Sequence, residues 1–182
     1  MANVAFEFPN IEGWIRPDEG EALFMFCKGK DVLEIGSLKG LSTVCIAQSA
    51  RSVVCVDPFD ARGTPLRGND TRAEFDANIL RHGVADRVTV RQGTSGEVLP
   101  QLIQEGQKFD AVFVDGDHER ESVASDITFS LHLLRPKGLM IFHDYRDNGN
   151  PGVRCEVDRY IERQHPKELG KVHSILVLEH PA

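Results

Sequence analysis

Two short motifs gather residues that could do chemistry. Val114-Asp115-Gly116-Asp117-His118 and Phe142-His143-Asp144-Tyr145 each close a run of apolar residues. Asp115 and Asp144, if they converge, repel each other unless a proton or a cation lies between them. Oxygen ligands of this kind favour Mg²⁺, Mn²⁺ or Ca²⁺ over zinc. His143 could be a third ligand, and its nitrogen would shift the preference towards Mn²⁺, Fe²⁺ or another transition metal. His118 stands three residues after Asp115, across a glycine-containing turn. A neutral imidazole there could take a proton from a hydroxyl near pH 7. A helix-capping His bonded to Asp117, or a metal ligand, are the competing readings.

A second constellation reads as a nucleotide-type pocket. In Glu34-Ile35-Gly36-Ser37-Leu38-Lys39-Gly40 a strand ends in an acid and is followed by two glycines and then a helix. Gly36 would let the backbone approach a ligand, and Gly40 would allow a tight entry into the helix. A dinucleotide loop has the spacing G-x-G-x-x-G; here it is acidic-x-G-x-x-x-G. The Glu34 carboxylate would repel a pyrophosphate and suits an ammonium group, directly or through water. Ser37 and Ser42, on the loop and the helix after it, join this set. Asp57 ends the next strand about 20 residues on, where nucleotide folds place the carboxylate that accepts both ribose hydroxyls. Gly93-Thr94-Ser95 follows a third strand and could line an adenine pocket. The plainer readings are a glycine turn, an Asp before Pro58 that ends a strand, and Ser95 as a helix cap ahead of Glu97.

These residues need a scaffold that brings strand ends together. The chain has 182 residues, enough for one sizeable core and too few for two ordinary domains, so residues 1–182 are read as a single domain. Strand-like apolar runs are Val32 to Ile35, Ser52 to Val56, Val88 to Val90, Ala111 to Val114, Leu139 to Phe142 and Ser174 to Leu178. Helical stretches are Pro17 to Cys27, Leu41 to Ser49, Arg72 to Arg81, Glu97 to Gln104, Arg120 to Leu134 and Val153 to Gln164. The alternation predicts an α/β fold with a largely parallel sheet covered on both faces. Pro136-Lys137-Gly138 reads as a turn before a strand. Pro58 to Thr71 is a long loop, either a substrate-side lid or a plain flexible connection.

The net charge of −7 argues against a broad nucleic-acid surface, which needs clustered Lys and Arg. Cys27, Cys45, Cys55 and Cys155 are scattered without a C-x-x-C pair, which reads as reduced thiols rather than disulfides or a zinc site. No run approaches the ~20 apolar residues of a membrane span, and the N-terminus lacks a secretory pattern. The expectation is a cytoplasmic protein that does not bind membranes.

With these motifs in place, the sequence resembles the class I S-adenosylmethionine-dependent methyltransferases. More narrowly, it is similar to a small bacterial branch with an acid-Gly-acid-His motif and a later His-Asp-Tyr motif. Phe75, Asn78, Gly83, Asp86-Arg87-Val88, Leu134-Arg135-Pro136-Lys137-Gly138 and Gly152-Val153-Arg154 fit that branch too, so the likeness covers roughly residues 12 to 180. The resemblance implies a Rossmann-like, doubly wound, mostly parallel seven-stranded sheet with one antiparallel strand near the C-terminus. Six strands are readable directly; the seventh would be an edge strand around Glu168 to Val172. It implies S-adenosylmethionine as cofactor, with Glu34 and the glycine loop holding the methionine part, Asp57 the ribose, and Thr94 and Ser95 flanking the adenine. Dimers are common among such proteins, which makes a homodimer an expectation.

The two acids also resemble those of metal-dependent O-methyltransferases of the catechol and caffeoyl-CoA type. Those carry Asp-Asn where this chain has Asp144-Tyr145. Related sugar O-methyltransferases carry Glu-Asp where this chain has His143-Asp144, and place a catalytic His at the spacing of His118. The expected reaction is methyl transfer to an oxygen of a small hydroxylated molecule. A metal at Asp115, Asp144 and His143 lowers the hydroxyl pKa, His118 removes the proton, and the oxygen attacks the sulfonium methyl in line. Without a metal, Asp115 would orient the cofactor, and transfer to nitrogen or carbon, or binding without turnover, are the alternatives. Tyr145 and Arg146 are expected near the substrate. Trp14 is expected to pack under the first helix rather than to cap the site.

Overall fold

The computed structural model describes residues 5–61, 64–146 and 150–181. Along the chain run α1 (Pro17–Phe26), β1 (Asp31–Ile35), α2 (Leu41–Ala47), β2 (Ser52–Asp57), α3 (Arg72–Arg81), β3 (Val88–Gln92) and α4 (Ser95–Gln104). Then follow β4 (Phe109–Val114), α5 (Arg120–Leu133), β5 (Leu134–Phe142), α6 (Pro151–Gln164), β6 (Lys167–Val172) and β7 (Ile175–Glu179). The seven strands form one sheet in the order β3-β2-β1-β4-β5-β7-β6. β7 lies antiparallel to both β5 and β6, while the pairs among β1 to β5 are parallel. β7 is therefore the single strand that runs against the rest, and β6 and β3 are the two edge strands.

Side-chain alternation divides the core in two. Val32, Ala111, Phe113, Leu139, Ile141 and Val177 pack with Leu23, Val44 and Phe75 of α1, α2 and α3. Leu33, Val112, Val114, Met140, Phe142 and Leu178 face the other way, onto Leu99, Ile127 and Val157 of α4, α5 and α6. Both faces are thus covered, which is why the central strands read as continuous apolar runs.

The helix starts have local causes. α1 begins with Pro17 at its first turn, and the Arg16 N–H donates to Glu19 Oε2 at 3.0 Å. α4 is capped by Thr94, not Ser95: the Thr94 N–H and hydroxyl both donate to Glu97 Oε2, a reciprocal cap of the T-x-x-E kind. Pro136-Lys137-Gly138 is not a turn ahead of β5 but lies inside it. Phe109 pairs with Leu134 and Ala111 with Leu139, so β5 carries extra residues, and Lys137 takes φ +58°. This is a bulge that a local turn signature cannot separate from a true turn.

The chain winds outward from β1 in one direction and from β4 in the other, so the two central strands mark the switch point of the sheet. In open α/β sheets the crevice outside the carboxyl ends at that point is where ligands bind. Gly36 and Asp115 flank it: the Gly36 N–H donates to Val56 O and the Asp115 N–H to Ile35 O.

Candidate active site

A cavity of about 850 Å³ opens at this crevice. Gly36, Ser37 and Ser42 line it from the first loop, Asp57 from β2, Thr94 and Ser95 from the start of α4, and Asp115, His118, His143 and Asp144 from the ends of β4 and β5. Ten of the twelve residues singled out in the sequence therefore share one space. The other two, Glu34 and Gly40, do not face it.

Glu34 is wholly buried beneath the loop. Its Oε2 accepts from the Ser37 hydroxyl at 2.7 Å, the Thr43 hydroxyl at 2.5 Å and the Cys55 thiol at 3.3 Å. Burial raises its pKa, against the hydroxyls of Ser42, Thr43 and Ser37. Of the two expected routes to an ammonium, direct or through water, the burial of Glu34 disfavours the direct one: Glu34 sets the loop from below through Ser37 and Ser42. Gly40, at φ +87°, leaves room for Phe75, which would stand 3.1 Å from an added Cβ. Its glycine serves the packing of α3 on the loop.

Asp57 braces the loop. Oδ2 accepts from the Ser37 and Leu38 N–H groups at 2.7 and 2.8 Å, and Oδ1 from the Phe59 N–H at 2.5 Å. With two lone pairs per oxygen, room remains for one further donor rather than the two ribose hydroxyls expected. From the loop after β2, Pro58, Ala61, Thr64 and Pro65 line the cavity; Arg62 and Gly63 lie outside the described residues.

The acids and histidines form the other wall. One oxygen each of Asp115 and Asp144 and one ring nitrogen of His118 lie within 4.8 Å of one another. His118 Nε2 is 3.2 Å from Asp144 Oδ2 and 3.9 Å from Asp115 Oδ1, and it is buried without a hydrogen-bond partner. An orphaned imidazole nitrogen aimed between two carboxylates is the donor set a divalent cation needs, with two oxygens and one nitrogen. The group fits these residues. The Asp115 carboxylate, and after it that of Asp144, hold the pKa of the His118 ring up over the opposing effect of burial. Gly152, at the start of α6, packs so tightly on this turn that an added Cβ would stand 2.3 Å from the His118 carbonyl.

His143 stands beside that trio, with Nδ1 also 3.9 Å from Asp144 Oδ2, but both its nitrogens have carboxylate neighbours. Its Nδ1 is 3.0 Å from Asp115 Oδ1, and its Nε2 faces Glu19 Oε2 at 3.5 Å, an ion pair too long for a good hydrogen bond. Both nitrogens are thus turned to carboxylates. Burial lowers the pKa of this ring, but the charge of Asp115 and the contacts with Asp115 and Glu19 outweigh it and push the pKa up to about 11. Glu19 is the converse case. Burial would raise its pKa, but His143 and Ser174 hold it down at about 2. Sequence reasoning missed Glu19 because an acid in a first helical turn is ordinary, and its side-chain partners His143 and Ser174 stand more than 120 positions away.

Two aromatic expectations also change. Trp14 is 54% exposed and lines the cavity beside Arg16, so it does not pack under α1. The Tyr145 hydroxyl donates to Asp158 Oδ1 at 2.6 Å, and its ring lies under Arg154 and Lys171. It turns away from the cavity, whereas Arg146 lines it.

Asp126, on α5, lies beneath this wall. Its Oδ2 would be 3.5 Å from a Cβ on Gly116, and its Oδ1 has no partner. Burial raises its pKa to about 6, with Asp117 adding to the shift and the Ser95 hydroxyl opposing it. A carboxyl whose native pKa exceeds its unfolded value near 3.9 costs nothing at low pH and destabilises increasingly as pH rises through about 6. Asp126→Asn is therefore expected to be more stable than the unaltered chain. The margin should grow by roughly 1–1.5 kcal/mol between pH 5 and pH 8. Urea midpoints at the two pH values check this; a constant margin refutes it.

A doubly wound sheet with a loop-lined cleft at its switch point and acids at the cleft wall defines the class of α/β nucleotide-cofactor folds. Residues 33–145 match the model of the family described as a methyltransferase domain, and the chain belongs to that family. It is 33% identical over 161 residues to a catechol O-methyltransferase of Mycobacterium tuberculosis, covering 86% of this chain and 66% of that protein. It is 30% identical over 139 residues to a catechol O-methyltransferase of Niastella koreensis, covering 70% of this chain and 56% of that one. The chain thus spans less than two thirds of each of these relatives. A solved structure of an O-methyltransferase from Bacillus cereus in complex with S-adenosylhomocysteine superposes with TM-score 0.70 at 22% identity, covering 94% of this chain and 84% of that one. Among the described residues, no helix is long and apolar enough to cross a membrane.

Proposed function

We propose that this protein transfers a methyl group from S-adenosylmethionine to an oxygen of a small hydroxylated molecule, assisted by a divalent metal. The observation that carries the reading is the trio of Asp115, His118 and Asp144 in the wall of a cavity that the glycine loop also lines. The two relatives named catechol O-methyltransferases support transfer to oxygen and a hydroxylated aromatic acceptor.

Ser37, Ser42 and the loop backbone would hold the amino-acid part of the cofactor, Asp57 one ribose hydroxyl, and Thr94 and Ser95 the adenine end. Asp115, Asp144 and His118 would hold Mg²⁺ or Mn²⁺. The metal, when bound, neutralises the two carboxylates and lowers the pKa of an acceptor hydroxyl. His118 Nε2 is the nitrogen turned to both acids, so holding the metal and taking a proton exclude each other at that atom. We assign His118 to the metal, and to proton removal only in a metal-free site. Arg146 orients Asp144 through Oδ1 at 3.3 Å, and the Asn150 amide donates to its Oδ2 at 2.9 Å. Trp14 offers a flat face at the mouth of the cavity to an aromatic acceptor.

The test pairs calorimetry with a chelation assay. The full chain is expected to bind S-adenosylhomocysteine, and to methylate a catechol in a reaction that EDTA stops and added Mg²⁺ or Mn²⁺ restores. Methylation that persists in EDTA removes the metal from the mechanism. Failure to bind S-adenosylhomocysteine overturns the reading as a whole.

A further inference from the structure

Glu19 lies outside the trio, yet it is the most firmly held carboxylate near it. It is 1% exposed. Its Oε1 accepts from the Ser174 N–H at 3.0 Å and the Ser174 hydroxyl at 2.5 Å, and its Oε2 from the Arg16 N–H at 3.0 Å. The two backbone donors come from α1 and from the turn between β6 and β7, so neither oxygen is free to swing. The remaining side of Oε2 faces His143 Nε2 at 3.5 Å, and His143 Nδ1 meets Asp115 Oδ1 at 3.0 Å. An imidazole between two carboxylates has its ring plane set from both ends. When one end is removed, the ring can turn and the other carboxylate loses its partner.

We propose that Glu19 is a positioning residue: acting through His143, it fixes Asp115 in the orientation that holds a divalent cation with His118 and Asp144. The inference rests on the metal reading above. Nothing in the local sequence around Pro17-Asp18-Glu19-Gly20 announces the role; it comes from the fold, which lays α1 against the end of β5. Partners of this kind, which orient a ligand without touching the metal, typically contribute 10- to 100-fold in metal affinity.

The test is Mn²⁺ binding to the full chain, read by calorimetry and by the electron paramagnetic resonance signal of free Mn²⁺, with no turnover required. Glu19→Gln is expected to weaken Mn²⁺ binding by about 10-fold or more, while S-adenosylhomocysteine affinity changes less than about twofold. Glu19→Asp keeps the charge but is one methylene shorter, so it cannot span Ser174 and His143 together; it should fall between the two. If Glu19→Gln does not fold, Glu19→Asp is read in the same way. A Glu19 that matters only to the fold would lower the melting temperature and leave Mn²⁺ affinity unchanged. That result overturns the inference while the metal reading stands. An unaltered chain that binds no Mn²⁺ overturns the metal reading, and the inference with it.

Discussion

Gly36→Ala is expected to be the most damaging Gly→Ala change among the described residues. Gly36 sits at φ +90°, and a Cβ there would stand 2.0 Å from the Asp115 carbonyl oxygen and 2.6 Å from its carbon. Both are backbone atoms that cannot rotate aside. Strain at such a φ costs about 1–3 kcal/mol, and forcing a methyl into a packed contact costs about 1–3 kcal/mol more. A loss of roughly 3–5 kcal/mol is a large share of the ~5–15 kcal/mol that holds a domain folded. Gly29→Ala is the control, because Gly29 is at φ +70° with nothing within 4 Å. It should cost about 1 kcal/mol, the backbone effect alone. Chemical denaturation of the two variants measures the difference. Equal losses would mean that the β1 and β4 ends do not approach as closely as this. The change should also push Asp115 away from His118 and Asp144, so a variant rescued for folding would still bind Mn²⁺ poorly.

The reason for Gly36 illustrates what the sequence made legible. A glycine after a strand, ahead of a helix, marks a nucleotide-type loop, and the loop is there. Which atom needs the space is a tertiary matter: it is the Asp115 backbone, 79 positions on. Helix α3 over Arg72–Arg81 was readable to the residue, because Phe75 and Ile79 recur at helical spacing and Gly83 stops the run. The strand ends were readable too, since continuous β-branched runs ended in acids. Less legible were assignments of partner and direction. Glu34, Asp57 and His143 are each polar groups at strand ends, and the sequence does not say whether such a group points up into a cleft or down beneath a loop. Glu34 points down, Asp57 is taken by three N–H groups, and His143 is claimed by Glu19 from a helix more than 120 residues earlier. Trp14 went wrong for the opposite reason: large aromatics are buried on average, and this one faces a cavity.

Asp144→Asn is expected to weaken metal binding and turnover severely while sparing the cofactor pocket. The resemblance to metal-dependent O-methyltransferases supplies an Asn after the second acid. Here that position is Tyr145, and its hydroxyl is bonded to Asp158 on α6. A third ligand must come from another element, and His118 Nε2, buried 3.2 Å from Asp144 Oδ2, is a nitrogen that stands beside both acids where Tyr145 does not. A neutral amide at position 144 keeps the shape and the neighbouring Arg146 and Asn150. It removes one of the two charges that draw the cation. Electrostatic help from a bound metal amounts to several kcal/mol, and each 1.36 kcal/mol is tenfold in rate, so turnover should fall by about 10²-fold or more. Mn²⁺ affinity should fall in parallel. Affinity for S-adenosylhomocysteine should change less than about twofold, because Ser37, Ser42 and Asp57 come from the loop after β1, from α2 and from β2 rather than from the end of β5. Tyr145→Phe, which loses only the contact with Asp158, should leave Mn²⁺ binding unchanged. If Asp144→Asn kept both Mn²⁺ binding and turnover, the two acids would not act on one cation, and Asp144 would drop out of the metal site.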